Sequence, residues 1–338
     1  MRPCTSILVT GGAGFIGSNF IRFLFSQEDF SGTVINIDKL TYAGNRNNNE
    51  DIEQRYGSSG RYFFYHKDIS DYSSLDHIIN DHAVDMVIHF AAETHVDRSI
   101  FGPHDFIQTN IVGTFTLLEV ARKVHVSGRK LHFHHISTDE VYGSLVDNGY
   151  FSESTPYAPR NPYSASKASA DHLVASYFHT YGLPITISHS SNNYGPYQYP
   201  EKLIPLMIYS MLNGKPLPVY GDGKQIRDWL HVDDHNRAVW AIIQKGTDGE
   251  VFNIGAETEI ENIVLVKTLC QLVAHYTGKP DKKYLSLITH VADRAGHDRR
   301  YAMDASKLRD RLKWEPKVEF KAGLASTVRW YIEHQEKM

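Results

Sequence analysis

The chain has 338 residues, of which 41% are hydrophobic, and its 35 Lys and Arg face 39 Asp and Glu, a net charge of -4. This apolar content excludes a disordered protein, and the length exceeds what one hydrophobic core usually supports, so two domains or one domain with a lobe is expected. Because no Lys/Arg cluster interrupts the mildly acidic balance, nucleic acid is not expected as a partner.

Cysteine content and apolar runs predict the cellular setting. Only Cys4 and Cys270 are present, too few for a disulfide framework and typical of a reducing compartment. Glycines from Gly11 onward interrupt the first apolar run, and no later run is as long as a membrane span. The sequence therefore predicts a soluble cytoplasmic protein with no membrane partner. The 19 His are scattered without ligand spacing, so no metal site is predicted.

Short β-branched runs alternate with segments of helical period along the first half of the chain. This alternation is typical of βαβ units and predicts an α/β fold with a Rossmann-type, doubly wound parallel sheet. The predicted strands are 6–9, 34–37, 62–65, 86–89, 131–136 and 185–187. The predicted helices between and after them are 15–25, 75–81, 106–124 and 163–181.

The alternation stops near residue 190, where loops rich in Tyr, Pro, Gly and Asn begin. Helices are predicted at 201–212 and 324–334, and no Pro/Ser linker separates two units. We expect a nucleotide-binding domain at 1–190 that also carries the catalytic residues. The rest, 191–338, is expected to form a smaller interleaved α/β substrate lobe, with some segments returning to the first domain.

A glycine-rich turn lies between the first strand and the first helix. Gly11, Gly14 and Gly17 allow a tight turn in which backbone approaches a pyrophosphate at the helix N-terminus. Asp38 follows the second strand at the spacing of an acid that binds the adenosine ribose diol and repels a 2'-phosphate. This context favours NAD over NADP as cofactor, although Lys39 is adjacent.

Three side chains have the spacing of a dehydrogenase active site. Thr138 ends the fifth predicted strand, and Tyr163 and Lys167 follow four residues apart, on one helix face. There the Lys167 charge is expected to lower the pKa of the Tyr163 phenol, so that the phenolate can deprotonate a substrate hydroxyl. With this combination the chain, from about residue 7 to 331, resembles the extended short-chain dehydrogenases/reductases, a family of NAD-dependent nucleotide-sugar enzymes.

Two adjacent carboxyl groups follow Thr138. Asp139 and Glu140 have no use in a sugar epimerase, whereas a 4,6-dehydratase needs a base at C5 and an acid at the leaving C6 hydroxyl. Alternatively, the pair only caps the turn after the strand. The motifs at 138–143, 38–45, 95–99 and 191–197 resemble those of the family branch that dehydrates a dTDP-activated hexose, which implies dTDP-glucose as substrate.

The resemblance implies a reaction cycle. Tyr163, helped by Thr138 and Lys167, would deprotonate the C4 hydroxyl while its hydride passes to NAD. Glu140 would then remove the C5 proton, Asp139 would protonate the leaving C6 hydroxyl, and hydride return to C6 would give the 4-keto-6-deoxy sugar.

The resemblance also implies the binding residues. On the cofactor side these are Gly11, Gly14, Phe15, Ile16, Gly17, Asp38, Lys39, Leu40, Thr41, Asp68, Ile69, Phe90, Ala91, Ala92, Thr94, Thr109, Tyr163, Lys167 and Asn193. On the sugar-nucleotide side they are Thr94, His95, Thr138, Asp139, Glu140, Asn192, Glu201, Lys202, Leu203, Pro218, Val219, Tyr220, Arg227, Asn262, Asp293, Arg294 and His297. Lys202, Arg227 and Arg294 suit a diphosphate.

Three alternatives remain open from the sequence. The chain could be a 4-epimerase or decarboxylase acting on a UDP-sugar, a dinucleotide sensor without catalysis, or a dehydratase that uses another base. Long helices at 106–124 and 163–181 resemble those that form a four-helix dimer interface in the family, so a homodimer is expected.

Overall fold

The computed structural model describes residues 2, 4–145, 148–294 and 296–335. Its main sheet has seven parallel strands in the order β3-β2-β1-β4-β5-β6-β10. These strands are β1 Ser6–Thr10, β2 Thr33–Asp38, β3 Tyr62–His66, β4 Met86–His89, β5 His132–Thr138, β6 Ile185–Ser190 and β10 Val251–Ile254. The predicted α/β fold with a Rossmann-type parallel sheet is confirmed.

Helices cover both faces of this sheet because successive strand side chains point to opposite sides. Ile7 and Val9 pack with α1 and α9, while Leu8 packs with α3, α6 and α7. The helices are α1 Phe15–Ser26, α2 Glu50–Tyr56, α3 Tyr72–Asp81, α4 Val96–Phe101, α5 His104–Phe106, α6 Thr114–Val126, α7 Pro162–Tyr181, α8 Leu203–Leu212, α9 Val232–Lys245, α10 Asn262–Thr277, α11 Asp281–Leu285, α12 Ser306–Leu312 and α13 Phe320–Glu333.

The predicted helix at 106–124 is not one regular helix. A π-helical segment, Ile107–Gly113, connects α5 to α6. Within it the Asn110 side chain accepts a hydrogen bond from the Glu93 N–H (2.9 Å) and donates to the Glu93 carbonyl (3.0 Å). Such segments are common at functional sites, and this one holds the loop after β4 against the helix.

The remaining strands belong to two small sheets outside the main one. β7 Asn192–Tyr194, β9 Ile226–His231 and β11 Glu259–Glu261 form one, and β8 Leu217–Tyr220 with β12 Ile288–Val291 forms the other. A separate hydrophobic core joins them to α8, α10 and α13. Among the described helices, none combines the length and apolar character needed to cross a membrane.

Candidate active site

A cleft of about 300 Å³ opens where β1, β4, β5 and β6 end. Ligands of doubly wound sheets bind at this edge, outside the carboxyl ends of the strands. The cleft brings together most of the predicted site. Lining it are Gly11, Gly14, Phe15, Ile16, Gly17, Asp38, Lys39, Thr41, Asp68, Ile69, Phe90, Ala91, Ala92, Thr94, Thr109, Thr138, Asp139, Glu140, Tyr163, Lys167, Asn192, Asn193, Glu201 and Lys202.

The glycine turn packs so closely against neighbouring backbone that a side chain would not fit at two of its positions. Gly11 has a φ of 71°, and a Cβ there would lie 2.7 Å from the Ala91 nitrogen. A Cβ at Gly17 would lie 2.8 Å from the Gly12 Cα. Gly14 precedes α1 without a side-chain cap, so the first N–H groups of the helix are available to an anion.

Asp38 organises the ribose side of the same turn. Its carboxylate accepts hydrogen bonds from the N–H groups of Ala13 (2.9 Å) and Leu40 (2.8 Å). Burial raises the pKa of Asp38, and these two hydrogen bonds oppose the shift. The Lys39 ammonium lies 2.7 Å from Asp68, so its charge is already paired. The arrangement fits a dinucleotide with a free ribose diol.

Tyr163 and Lys167 lie on one face of α7, but their electrostatics differ from the expectation. Burial raises the pKa of Tyr163, as does the Glu140 carboxylate, while a hydrogen bond with Thr138 opposes them. The Lys167 ammonium donates to the Ile136 carbonyl (2.7 Å) and lies 3.4 Å from His135 Nε2. The pKa of the phenol is therefore raised rather than lowered, because burial and the Glu140 charge outweigh the Thr138 hydrogen bond. Burial also lowers the pKa of Lys167 to about 8.

Asp139 and Glu140 open a short 3-10 helix, Asp139–Tyr142, directly after β5. The cap of this turn is Thr138, whose hydroxyl accepts from the Glu140 N–H at 3.3 Å, so capping does not require the two carboxyl groups. Asp139 is 2% exposed, and its Oδ2 has no hydrogen-bond partner among the described residues. Burial, followed by the Glu140 charge, raises the pKa of Asp139 well above its ordinary value.

Three cations surround Glu140. Burial raises its pKa, and the charges of Arg294, Arg227 and Lys202 oppose that rise. Arg227 is buried, with its guanidinium 4.3 Å from the centre of the Tyr301 ring. The Lys202 ammonium donates to the Thr94 carbonyl at 2.8 Å. Positive charge therefore converges on the Glu140 side of the cleft, where Lys202 belongs to the lining and Arg227 and Arg294 do not.

The outer end of this cationic side holds further predicted residues. The Tyr220 hydroxyl donates to Asp97 at 3.0 Å, and Arg294 lies 3.7 Å from the same carboxylate. His297 Nδ1 is 2.5 Å from Asp293. His95 Nε2 lies 3.6 Å from the carboxylate of Glu201, another predicted substrate residue.

Some predicted substrate residues do not present their side chains to the cleft. The Val219 side chain is 3% exposed and packs in the core of the small sheets, where Leu203 also packs. Pro218 lies beside Val219 on β8. On the cofactor side, the predicted residue Leu40 donates its N–H to Asp38. Asn262 begins α10, where its N–H donates to the Gln225 carbonyl at 3.0 Å.

Several residues that line the cleft were missed in the sequence, Glu93 among them, and Tyr42, next to the lining residue Thr41, was missed as well. Glu93 lines the cleft and has its pKa raised by burial. Tyr42 donates its hydroxyl to Glu201 at 2.8 Å, and the Arg98 guanidinium lies 3.7 Å from the centre of its ring. Both adjoin segments that the motifs had already singled out, so their position in those motifs was the available signal.

Comparison with known proteins identifies the family. Residues 8–327 match the family described as GDP-mannose 4,6 dehydratase. The dTDP-glucose 4,6-dehydratase 1 of Escherichia coli (strain K12) is 52% identical over 340 residues, which cover 96% of this chain and 92% of that protein. The dTDP-glucose 4,6-dehydratase of Xanthomonas campestris pv. campestris (strain B100) is 51% identical, covering 97% and 93%.

Solved structures agree on the fold. A dTDP-glucose 4,6-dehydratase from Streptomyces venezuelae, crystallised with NAD, is 43% identical with a TM-score of 0.88, and 98% of each chain is covered. A UDP-glucose 4-epimerase from Thermotoga maritima has a TM-score of 0.85 at 31% identity, covering 98% of this chain and 100% of its own. The fold alone thus does not separate dehydratase from epimerase. The chain belongs to the GDP-mannose 4,6-dehydratase family of extended short-chain dehydrogenases/reductases.

Proposed function

We propose that this protein is an NAD-dependent hydro-lyase that converts dTDP-glucose to dTDP-4-keto-6-deoxyglucose. The observation that carries the proposal is the carboxyl pair Asp139–Glu140 at the end of β5, beside Tyr163 and Lys167 in one cleft. An epimerase has no step for these groups. Full-length relatives named dTDP-glucose 4,6-dehydratase support the same substrate.

The chemistry that NAD supplies when bound is reversible hydride transfer. Within the cleft, Tyr163 takes the proton of the C4 hydroxyl, with Thr138 binding the same oxygen and Lys167 supplying positive charge. The resulting 4-keto group acidifies the C5 proton, which Glu140 removes. Asp139 protonates the C6 hydroxyl, which leaves as water.

The environments of the two carboxyl groups suit these opposite roles. Burial and then the Glu140 charge raise the pKa of Asp139 well above its ordinary value, which favours the protonated form that a general acid needs. Burial also raises the pKa of Glu140, but the charges of Arg294, Arg227 and Lys202 oppose that rise and so favour the ionised form that a base needs.

The sites for NAD and for the sugar nucleotide lie on the two sides of the cleft. The glycine turn, Asp38 and the 68–69 segment hold NAD, with Asp38 disfavouring a 2'-phosphate. Lys202, Arg227 and Arg294 hold the diphosphate of the sugar nucleotide, and Tyr220 with His297 lies toward its base. We assign NAD binding and catalysis mainly to 1–190 and substrate binding mainly to 191–338.

We further propose that the working form is a cytoplasmic homodimer. Ile107, Phe115 and Tyr181 are 42%, 46% and 47% exposed on the π-helical segment, α6 and α7. Exposed apolar side chains on two long neighbouring helices favour a partner surface, and a second copy would cover them by the four-helix packing expected for the family.

Incubation of the purified protein with dTDP-glucose, followed by mass spectrometry, tests the activity. We expect a nucleotide sugar that has lost one water, and faster turnover than with UDP-glucose or GDP-mannose. An unchanged substrate would refute the proposal. A product of unchanged mass with inverted C4, identified by NMR, would establish the epimerase reading instead.

A further inference from the structure

A buried polar network lies behind the cleft, and Asp171 is its centre. Asp171 is on α7, one turn after Lys167, and is 1% exposed. Its Oδ2 accepts a hydrogen bond from the Ser137 hydroxyl at 2.8 Å and lies 3.0 Å from His189 Nε2. Its Oδ1 lies 3.2 Å from His135 Nε2. None of the steps proposed above uses this carboxylate.

Lys167 connects this buried network to the catalytic residues of the cleft. His135 Nε2 lies 3.4 Å from the Lys167 ammonium and 3.2 Å from the Asp171 carboxylate, so one ring nitrogen faces both charges. The ammonium also donates to the Ile136 carbonyl at 2.7 Å. A carbonyl and an imidazole nitrogen thus contact the cation, and the Asp171 carboxylate lies against the same imidazole nitrogen.

A buried ammonium without a counter-charge loses its proton readily. Burial lowers the pKa of Lys167 to about 8, and the Asp171 charge opposes that fall. For Asp171 itself burial acts to raise the pKa, but hydrogen bonds from His135 and His189 outweigh it and hold that pKa below its ordinary value. The carboxylate therefore stays ionised.

Among the residues that the structure describes around Lys167, no other group replaces this charge. Burial, with the neighbouring Lys167 charge, lowers the pKa of His135 to about 4, and burial lowers that of His89 as well, so both rings are neutral. Burial raises the pKa of the Tyr163 phenol, which opposes a standing negative charge there, so Tyr163 is not a permanent counter-charge for Lys167. The titratable groups facing this region are His89 from β4, His135 from β5, His189 from β6, and Tyr163 and Asp171 from α7.

We propose that Asp171 is a positioning residue for Lys167: its carboxylate, acting across His135, keeps Lys167 an ammonium ion and holds it at the Ile136 carbonyl. For its effect on turnover, the inference rests on the proposed function. The sign of the effect follows directly. Because the carboxylate raises the pKa of Lys167, its removal moves the loss of the ammonium proton to lower pH.

The variant Asp171→Asn in the NAD-loaded enzyme tests this, since the amide keeps the shape and removes the charge. We expect the alkaline limb of the kcat profile to move down by about one pH unit, so that kcat near pH 8 falls about fourfold further than kcat near pH 6.5. An alkaline limb at the wild-type pH, with kcat lowered evenly at all pH values, would overturn the inference.

A second pair of variants tests the same inference if Asp171→Asn does not fold. His135→Phe removes the ring between the two charges, whereas His134→Phe alters the neighbouring buried ring, which bonds Thr186 and Ser188 instead. Only His135→Phe is expected to move the alkaline limb to lower pH. If the alkaline limb of the kcat profile lay at the same pH in the two variants, the role of His135 would be contradicted.

A substrate-free measurement separates this inference from the proposed function. The Cε of 13C-labelled lysine, assigned for Lys167 with Lys167→Met, reports its titration by NMR in the holoenzyme. The midpoint is expected to fall in Asp171→Asn or His135→Phe, whatever sugar nucleotide the enzyme uses. An unchanged midpoint would refute the inference, while absence of dehydration would refute only the proposed function.

Discussion

At the scale of single residues, the chemistry of the cleft depends on the charge states of Asp139 and Glu140. Asp139 and Glu140 are identified by position next to Thr138, a local signal. Their pKa values depend on burial and on Arg227 and Arg294, which are distant in the chain. No local pattern encodes such neighbours, and for the same reason the raised pKa of Tyr163 was not anticipated.

Glu140→Gln tests the role of the base. The amide preserves size but cannot accept the C5 proton, so we expect product formation to fall by about 10²- to 10⁴-fold, the usual contribution of general base catalysis. Oxidation at C4 should fall much less, because it does not use this carboxylate. Rapid-quench mass spectrometry of the 4-keto-glucose nucleotide and deuterium uptake at C5 measure the two steps separately.

A matched control is Glu257→Gln, since Glu257 pairs with Arg309 on the surface. It should leave both steps at wild-type rates. Product formation by Glu140→Gln at the wild-type rate would show that another group removes the C5 proton.

At the scale of elements, α7 shows what local sequence determines. The four-residue spacing of Tyr163 and Lys167 predicts a shared helix face, and the helix is present at Pro162–Tyr181. Its start is fixed by a capping box in which Asn161 and Ser164 exchange hydrogen bonds between side chain and backbone. The π-helical segment 107–113, in contrast, depends on Asn110 bonding to Glu93, a contact between segments that helical periodicity does not record.

Asn161→Ala tests how firmly α7 must be anchored. Loss of an N-cap costs about 1 kcal/mol, which for a chain of this size lowers Tm by about 1 to 2 °C. Because the Asn161 amide also donates to Glu140 at 3.5 Å, we expect kcat to fall as well. Calorimetry and steady-state turnover provide the two measurements.

The control for this variant is Asp71→Ala, which removes the side-chain cap of α3. It should lower Tm similarly with kcat unchanged. Equal kcat values in the two variants would show that α7 does not need its cap for catalysis.

At the scale of the whole molecule, strand alternation predicts six of the strands in the main sheet and their parallel arrangement. The seventh, β10, is four residues long and follows three other strands that lie outside that sheet. It lies beyond residue 190, where the alternation of strands and helices has stopped, so only its pairing with β6 identifies it.

Phe115→Asp tests the proposed dimer. A carboxylate at the centre of an apolar face between two copies would be buried without a partner, so we expect the molecular mass from light scattering to fall from that of a dimer toward that of a monomer. Val264→Asp is the control, because Val264 is 49% exposed on α10, away from these helices. A dimer that persists in Phe115→Asp would place the interface elsewhere.

The pairing of β10 with β6 also bears on how the chain acquires its structure during translation. The edge of β6 stays open until residues 251–254 leave the ribosome, because the strands between them belong to other sheets. The Arg2 side chain also lacks its partner until α9 has been synthesised, since its guanidinium donates to the Ile243 carbonyl at 2.7 Å. At roughly 5–20 residues per second the nascent chain therefore exposes an unpaired strand edge for several seconds, an interval in which chaperone binding would be most useful to this protein.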